Sequence, residues 1–260
     1  MAYGGCNMII TNIENNVLSI SLNRIDKHNA FNSELLTTLH EMILQGIGNA
    51  DVKAIVLKAN GRFFSAGADL AEMQAAAKLP MPDNIAQAKQ LSDTLATWHQ
   101  SPKPTLCVVQ GSAFGGALGF IAASDVAIAV PNATFCFSEA KLGLIPAVIS
   151  PYILEVMGLK ITKRLFLSAE TFTADHALQY QLIDTIVSEN DLKTFTEHCT
   201  QTWTQLPTEA LGTIKGWLAS IHKQPITEAL QLRTAEQLAR MRTHPIAQQK
   251  LQEFLKSKNT

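Results

Sequence analysis

The sequence predicts an α/β fold, and three observations predict it. Short apolar, β-rich runs alternate with helical stretches through about the first two hundred residues. Twice, at 54–77 and again at 105–123, a strand runs into a turn of small residues and then a helix. From Ser150 onward the pattern becomes chiefly helical, with Pro207, Pro225 and Pro245 as punctuation.

In chain order, Met8 to Ile13 and Val17 to Leu22 flank Glu14-Asn15-Asn16. Leu18, Ile20 and Leu22 alternate with Ser19 and Ser21, the pattern of a hairpin with one buried face. A polar loop, 23–30, leads to Asn32 or Ser33 as the cap of an amphipathic helix carrying Leu35, Leu36, Leu39, Met42, Ile43 and Ile47. Ala54 to Ala59 reads as a strand stopped by Asn60-Gly61. Arg62 to Leu70 then passes from two phenylalanines into a small-residue turn, and a helix follows. Pro80 and Pro82 mark a loop from Leu79 to Asp83, after which Ile85 to Gln100 resumes a helix. Phe63, Phe64, Trp98, Trp203 and Trp217 are expected in the core.

Thr105 to Gln110 is the strand that enters Gly111-Ser-Ala-Phe-Gly-Gly-Ala-Leu-Gly-Phe-Ile-Ala-Ala, ending at Ala123. A turn so poor in side chains leaves backbone N–H groups bare at a helix start, where they suit a negatively charged oxygen. It is not a dinucleotide fingerprint, whose glycines fall at relative positions 1, 3 and 6. Nor is it a Walker A loop, since Ala117 and Leu118 stand where Lys and Ser/Thr are needed. No Gly-x-Ser-x-Gly elbow seats a hydrolase serine. The bland alternative is a glycine turn that lets a helix pack closely on a strand.

Val126 to Val130 and Thr134 to Phe137 are strands that deliver Ser138-Glu139 into an apolar neighbourhood, with a carboxylate at a strand end. Pairing with Lys141 or capping the next helix is the structural alternative for Glu139. Helices follow over 151–157, 161–167, 174–181, 191–206, 208–220, 226–242 and 246–255, with one short strand at 183–187. The organisation expected is a core over 1–200 and a helical region over 201–260.

Composition excludes several classes. A chain of 260 residues buries about three quarters of its extended surface. Hydrophobic residues make up 47% and the net charge is -1, so no polyanion partner is implied, neither nucleic acid nor an acidic membrane surface. Cys6, Cys107, Cys136 and Cys199 form no CxxC pair and read as reduced thiols. Met1 to Asn7 is too short and polar for a signal peptide, no run has the length of a membrane span, and a cytoplasmic protein is expected. The seven histidines show no ligand spacing, and no metal site is expected.

Four motifs together resemble the crotonase (enoyl-CoA hydratase/isomerase) superfamily. They are Asn23-Arg24 with Lys27 and Asn29-Ala30; Phe64 to Leu70; Gly111 to Gly116; and Ser138-Glu139 with Leu142 to Pro146. The continuation through Tyr152 more narrowly resembles methylglutaconyl-CoA hydratases of leucine degradation. The resemblance implies a spiral of ββα units with a C-terminal helical trimerisation region, and homotrimers often paired into hexamers. It implies an acyl-CoA substrate and no cofactor beyond the coenzyme A that the substrate carries.

The resemblance makes Ala68 and Gly116 the oxyanion-hole donors and Glu139 the acid/base, with a pKa raised by burial. It carries substrate or CoA contacts onto Lys27, His28, Ala30, Ala66 and Gly67. Asp69, Leu70, Gly115 and Gly119 complete that set, and Asp69 is also expected to brace its turn. The familiar hydratases hold a second glutamate where Gly119 stands, so its absence is expected to leave room for water or a bulkier acyl group. Hydration of a 2-enoyl-CoA is the activity implied, with isomerase, decarboxylase and a non-catalytic CoA-binding trimer as alternatives.

Overall fold

The computed structural model describes residues 8–257. Cys6 and the leader reading of Met1 to Asn7 lie outside them. Strands β1 (Ile9–Glu14) and β2 (Val17–Leu22) form the expected hairpin, paired from Ile9↔Leu22 to Glu14↔Val17. Asn15 and Asn16 turn it with φ of 51° and 64°, a left-handed pair that matches the twist of the strands. Leu18, Ile20 and Leu22 are buried.

Strands β3 (Ala54–Ala59) and β4 (Phe63–Ser65) come next, then β5 (Thr105–Val109) and β6 (Ser112–Phe114), then β7 (Val126–Ala129) and β8 (Thr134–Cys136). The first strand of each pair joins a six-stranded sheet, order β1-β2-β3-β5-β7-β10, whose last strand β10 is Thr185–Ile186. The second joins a four-stranded sheet, order β4-β6-β8-β9, with β9 at Phe172–Thr173. β4, β6 and β8 run parallel, so their C-terminal ends share one edge. This is the spiral of ββα units that the motifs implied.

Helix α1 (Ser33–Gly48) is capped by Asn32, whose side chain accepts the Leu35 N–H. α2 (Leu70–Ala76) and α3 (Met81–His99) follow β4; α4 (Ala117–Ala122) follows β6; a 3-10 turn, Glu139–Leu142, and α5 (Ser150–Ser168) follow β8. Pro80 and Pro82 do not form the expected loop. Pro82 sits in the first turn of α3, where its missing N–H costs nothing. Within α5 the two helices expected at 151–157 and 161–167 are separated at Gly158, whose φ of 68° and ψ of 164° are not helical. The glycine stretch conceals β6, a strand too short for alternation to register. At Gly111 an added Cβ would come within 2.0 Å of the Arg62 carbonyl oxygen, so the close packing there is between the bends that lead into β6 and β4.

α6 (Ala174–Gln179), α7 (Leu192–Thr204), α8 (Thr208–Ile221), α9 (Glu228–Thr243) and α10 (Pro245–Ser257) complete the chain, which divides into two compact units after Gly212, within α8. Phe64 and Trp98 are fully buried, and the Trp98 indole donates to Ser124 Oγ at 2.9 Å. Three aromatic residues differ from expectation. Phe63 is half-buried against His28 and Phe114. Trp203 is half-buried on a smaller cluster of Val56, Leu106, Val108, Ile128 and Val187. Trp217 is half-buried, with the Arg233 guanidinium 5.2 Å from its ring centre. No helix among the described residues is long and apolar enough to cross a membrane.

The C-terminus of α1 is closed by a cation from elsewhere. Lys103 is 7% exposed, and its ammonium donates to the Gly46 and Asn49 carbonyls at 2.7 and 2.6 Å. Burial lowers its pKa. Lys103→Met removes these donors from buried carbonyls and is expected to cost about 1–3 kcal/mol in urea unfolding. An unchanged midpoint would contradict the cap.

Candidate active site

The shared edge of β4, β6 and β8 gathers the three chemical motifs. Past β4 the chain turns through Ala66-Gly67-Ala68 and is zipped to the loop before α1. Ala66 N–H donates to the His28 carbonyl, Phe31 N–H to the Gly67 carbonyl, and Asp69 N–H to the Phe31 carbonyl, at 2.7–2.9 Å. Asp69 braces this turn as expected. One carboxylate oxygen accepts the Ala71 and Glu72 N–H groups at the start of α2, and the other accepts from Arg24 at 2.7 Å. That Arg24 bond is the main cause holding the Asp69 carboxyl below its ordinary range. Arg24 also donates to the Ala30 carbonyl, so it clamps loop and turn together.

Past β6 the chain turns at Gly115 (φ 54°), whose N–H donates to the Cys136 carbonyl at 2.9 Å, and Gly116 opens α4. The two turns touch, for a Cβ on Gly67 would lie 2.9 Å from the Phe114 carbonyl oxygen. Among the described residues neither the Ala68 nor the Gly116 N–H has a hydrogen-bond partner. Two free donors therefore stand on neighbouring turns.

Glu139 opens the 3-10 turn beyond β8 and is not itself at a strand end. Its Oε1 would be 3.2 Å from a Cβ on Gly115, and its Oε2 is buried without a partner. Burial raises its pKa, offset in part by its own backbone N–H. The alternative pairing with Lys141 is not made. The Lys141 ammonium lies 3.6 Å from Cys136 Sγ instead. A carboxyl of raised pKa packed against Gly115, the residue before one of the bare amides, can move a proton next to a carbonyl whose oxygen those amides hold.

The other expected contacts divide. Ala66, Gly67, Asp69 and Leu70, which is 66% exposed, belong to the first turn, and Gly115 belongs to the second. Lys27 and His28 are exposed at the end of a short 3-10 turn, Ile25–Lys27, while Ala30 is buried. Gly119 corrects the expectation attached to it. A Cβ there would lie 2.5 Å from Ile149 Cγ2 and 3.1 Å from Leu95 Cδ1, so hydrocarbon already fills the space beside it. The missing glutamate leaves no room for water or a larger acyl group at that point. Leu91, whose Cδ2 would be 3.2 Å from a Cβ on Gly116, also borders the site. Sequence reasoning missed Leu91, Leu95 and Ile149, because an apolar residue on a helix carries no local sign of which cleft it borders.

This fold and these paired turns are those of a crotonase-type protein. The Enoyl-CoA hydratase/isomerase family profile matches residues 12–258, and the chain belongs to that family. Among solved structures it is similar to a putative enoyl CoA hydratase/isomerase (crotonase) from Legionella pneumophila, at 40% identity over 96% of each chain and a TM-score of 0.90. An enoyl-CoA hydratase from Shewanella pealeana is 37% identical over 97% of this chain and 94% of that one, with a TM-score of 0.93. This chain is also 28% identical, over 86% of each protein, to the 1,2-epoxyphenylacetyl-CoA isomerase of Escherichia coli.

Two outcomes test the geometry. Gly67→Ala places a side chain at φ 87° and against the Phe114 carbonyl, and should lower stability by about 1–3 kcal/mol. A parent-like denaturation midpoint would contradict the contact between the turns. For Glu139, a raised folded-state pKa means that the folded protein holds a proton the unfolded chain has lost, so stability falls as pH rises through that window. Glu139→Gln should therefore be more stable than the parent at about pH 8, with the gain fading toward about pH 4. Urea midpoints at the two pH values measure this, and an equal gain at both would refute it.

Proposed function

We propose that the protein is an enoyl-CoA hydratase with one carboxyl group at its centre. The observation that carries this reading is the Glu139 carboxyl, whose Oε1 packs against Gly115 in the turn that leads to Gly116 and whose Oε2 is buried without a partner. The thioester carbonyl lies between the Ala68 and Gly116 N–H groups. Glu139, ionised, takes a proton from water as the water oxygen bonds to C3. The C2=C3 electron pair moves toward the carbonyl, and the enolate oxygen is held by the two amides. Glu139 then returns the proton to C2, so one water is added and the carboxylate is restored. Loss of one such donor costs about two to three orders of magnitude in rate.

A single carboxyl serving both transfers delivers hydroxyl and proton to one face of the double bond. The Shewanella pealeana hydratase, similar over nearly the whole chain, supports hydration, as the Escherichia coli isomerase supports the second reading below. A branched dicarboxylic substrate such as 3-methylglutaconyl-CoA, as in leucine degradation, extends the reading on the motif from Leu142 to Tyr152. No cofactor enters beyond the coenzyme A of the substrate, and the setting is cytoplasmic. Homotrimers, or hexamers of paired trimers, complete the proposal. It is supported by the apolar side chains that α8–α10 expose, among them Leu218, Leu232 and Phe254.

The second reading is an isomerase. Ile149 fills the place beside Gly119, so no second carboxyl is there to hold an attacking water. Glu139 would then take a proton from C2 of a 3-enoyl-CoA and return it at C4, shifting the double bond.

Purified protein with crotonyl-CoA, 3-methylglutaconyl-CoA and a 3-enoyl-CoA decides between them. Loss of enoyl absorbance with the first two is expected. A new conjugated enoyl band from the third, without hydration of the others, would overturn the hydratase reading, and inertness with retained CoA binding would overturn both. Glu139→Gln should lower turnover by about two to four orders of magnitude.

A further inference from the structure

From Ala66 to Asp69 the backbone offers four N–H groups, and only that of Ala68 is free. Ala66 and Asp69 spend theirs on backbone carbonyls of the facing loop, at 2.9 Å each. Gly67 alone gives its N–H to a side chain, Ser65 Oγ, at 3.1 Å. Ser65 is fully buried, and its hydroxyl hydrogen is committed to the Asn29 carbonyl at 2.7 Å, which leaves its lone pairs to face Gly67. Asn29 is itself fixed, since its side-chain amide donates to the Asn60 and Phe63 carbonyls, both at 2.9 Å.

This chain of bonds pins two successive peptide planes. The Gly67 carbonyl accepts from Phe31 N–H at 2.7 Å. In a trans peptide N–H points opposite to C=O, so the Ala68 N–H must point away from Phe31, toward the cleft. Holding that plane at the Gly67 φ of 87° requires the preceding plane to be held too, and its N–H is gripped only by Ser65.

We propose that Ser65 is a positioning residue, whose hydroxyl grips the Gly67 N–H and thereby aims the Ala68 N–H at the substrate carbonyl oxygen. This rests on the proposed role of Ala68 as an oxyanion donor. Without the hydroxyl, Gly67 is free to rotate and its own N–H is left buried and unpaired. A displacement of the donor by about 1 Å is enough to lower the rate about a hundredfold.

The test compares the parent with Ser65→Ala and Ser65→Cys, reading kcat and KM for crotonyl-CoA and the absorption of a bound 2,4-dienoyl-CoA. Polarisation of the thioester carbonyl shifts that chromophore to longer wavelength. The expected result for Ser65→Ala is a kcat lower by about 10- to 100-fold, a KM within about twofold of the parent, and a diminished red shift. Ser65→Cys, with a weaker acceptor of similar shape, should recover part of both. Ser65→Ala that binds CoA like the parent and keeps the parent kcat and red shift overturns this proposal alone. A parent protein that shows no red shift overturns the oxyanion reading of Ala68 as well. Should Ser65→Ala not fold, Ser65→Gly, which also lacks the acceptor, carries the test, and a parent-like kcat and band there overturn the proposal.

Discussion

The parallel pairing of β4, β6 and β8 is the constraint on which the site depends. Phe63 pairs with Ser112, Ser65 with Ala113, Ala113 with Phe135 and Phe114 with Cys136. Parallel neighbours in that register end at one edge, and each strand there turns toward a helix or 3-10 turn. Segments around positions 67, 115 and 139 thereby become neighbours in space. None of the three could hold this geometry alone, because strands of three residues are stable only inside a sheet.

Glycine and hydrogen bonding divide the work at that edge. Gly67 and Gly115 both take positive φ, and both sit where a Cβ would crowd a neighbour, the Phe114 carbonyl in one case and the Glu139 carboxyl in the other. Their freedom lets the turns approach, and the surrounding bonds remove it again. Arg24, Asp69, Ser65 and Asn29 tie the first turn to the loop before α1, and the Cys136 carbonyl ties the second to β8. Glu139 is the counterexample, a carboxyl oxygen buried without a partner. Such a group weakens the fold at neutral pH and raises its own pKa, the combination that proton transfer requires.

Gly119 illustrates how a local pattern misleads. Compared with the familiar hydratases, a glycine in place of a glutamate reads as a vacancy. In the folded chain the volume belongs to Ile149, the residue before α5, and to Leu95 of α3. Close packing of interiors makes this the ordinary outcome, since a void large enough for a side chain leaves its lining without contacts. The consequence is chemical as well as steric, for hydrocarbon and not a carboxyl lies against Gly119.

By itself the sequence determined the α/β class, the hairpin, most helices, the three chemical motifs and the expectation that Asp69 braces its turn. These follow from periodicity and from turn and capping residues, which act over a few positions. Only the tertiary structure decided that Gly67 touches Phe114, that Arg24 belongs to Asp69, that Ile149 fills the space beside Gly119, and that Ser65 grips Gly67 while Ala68 stays free. Each of these but the last joins residues far apart in the chain, and the last depends on Asn29 orienting a hydroxyl from the facing loop. Their physical basis is strand register and packing, which no local pattern encodes.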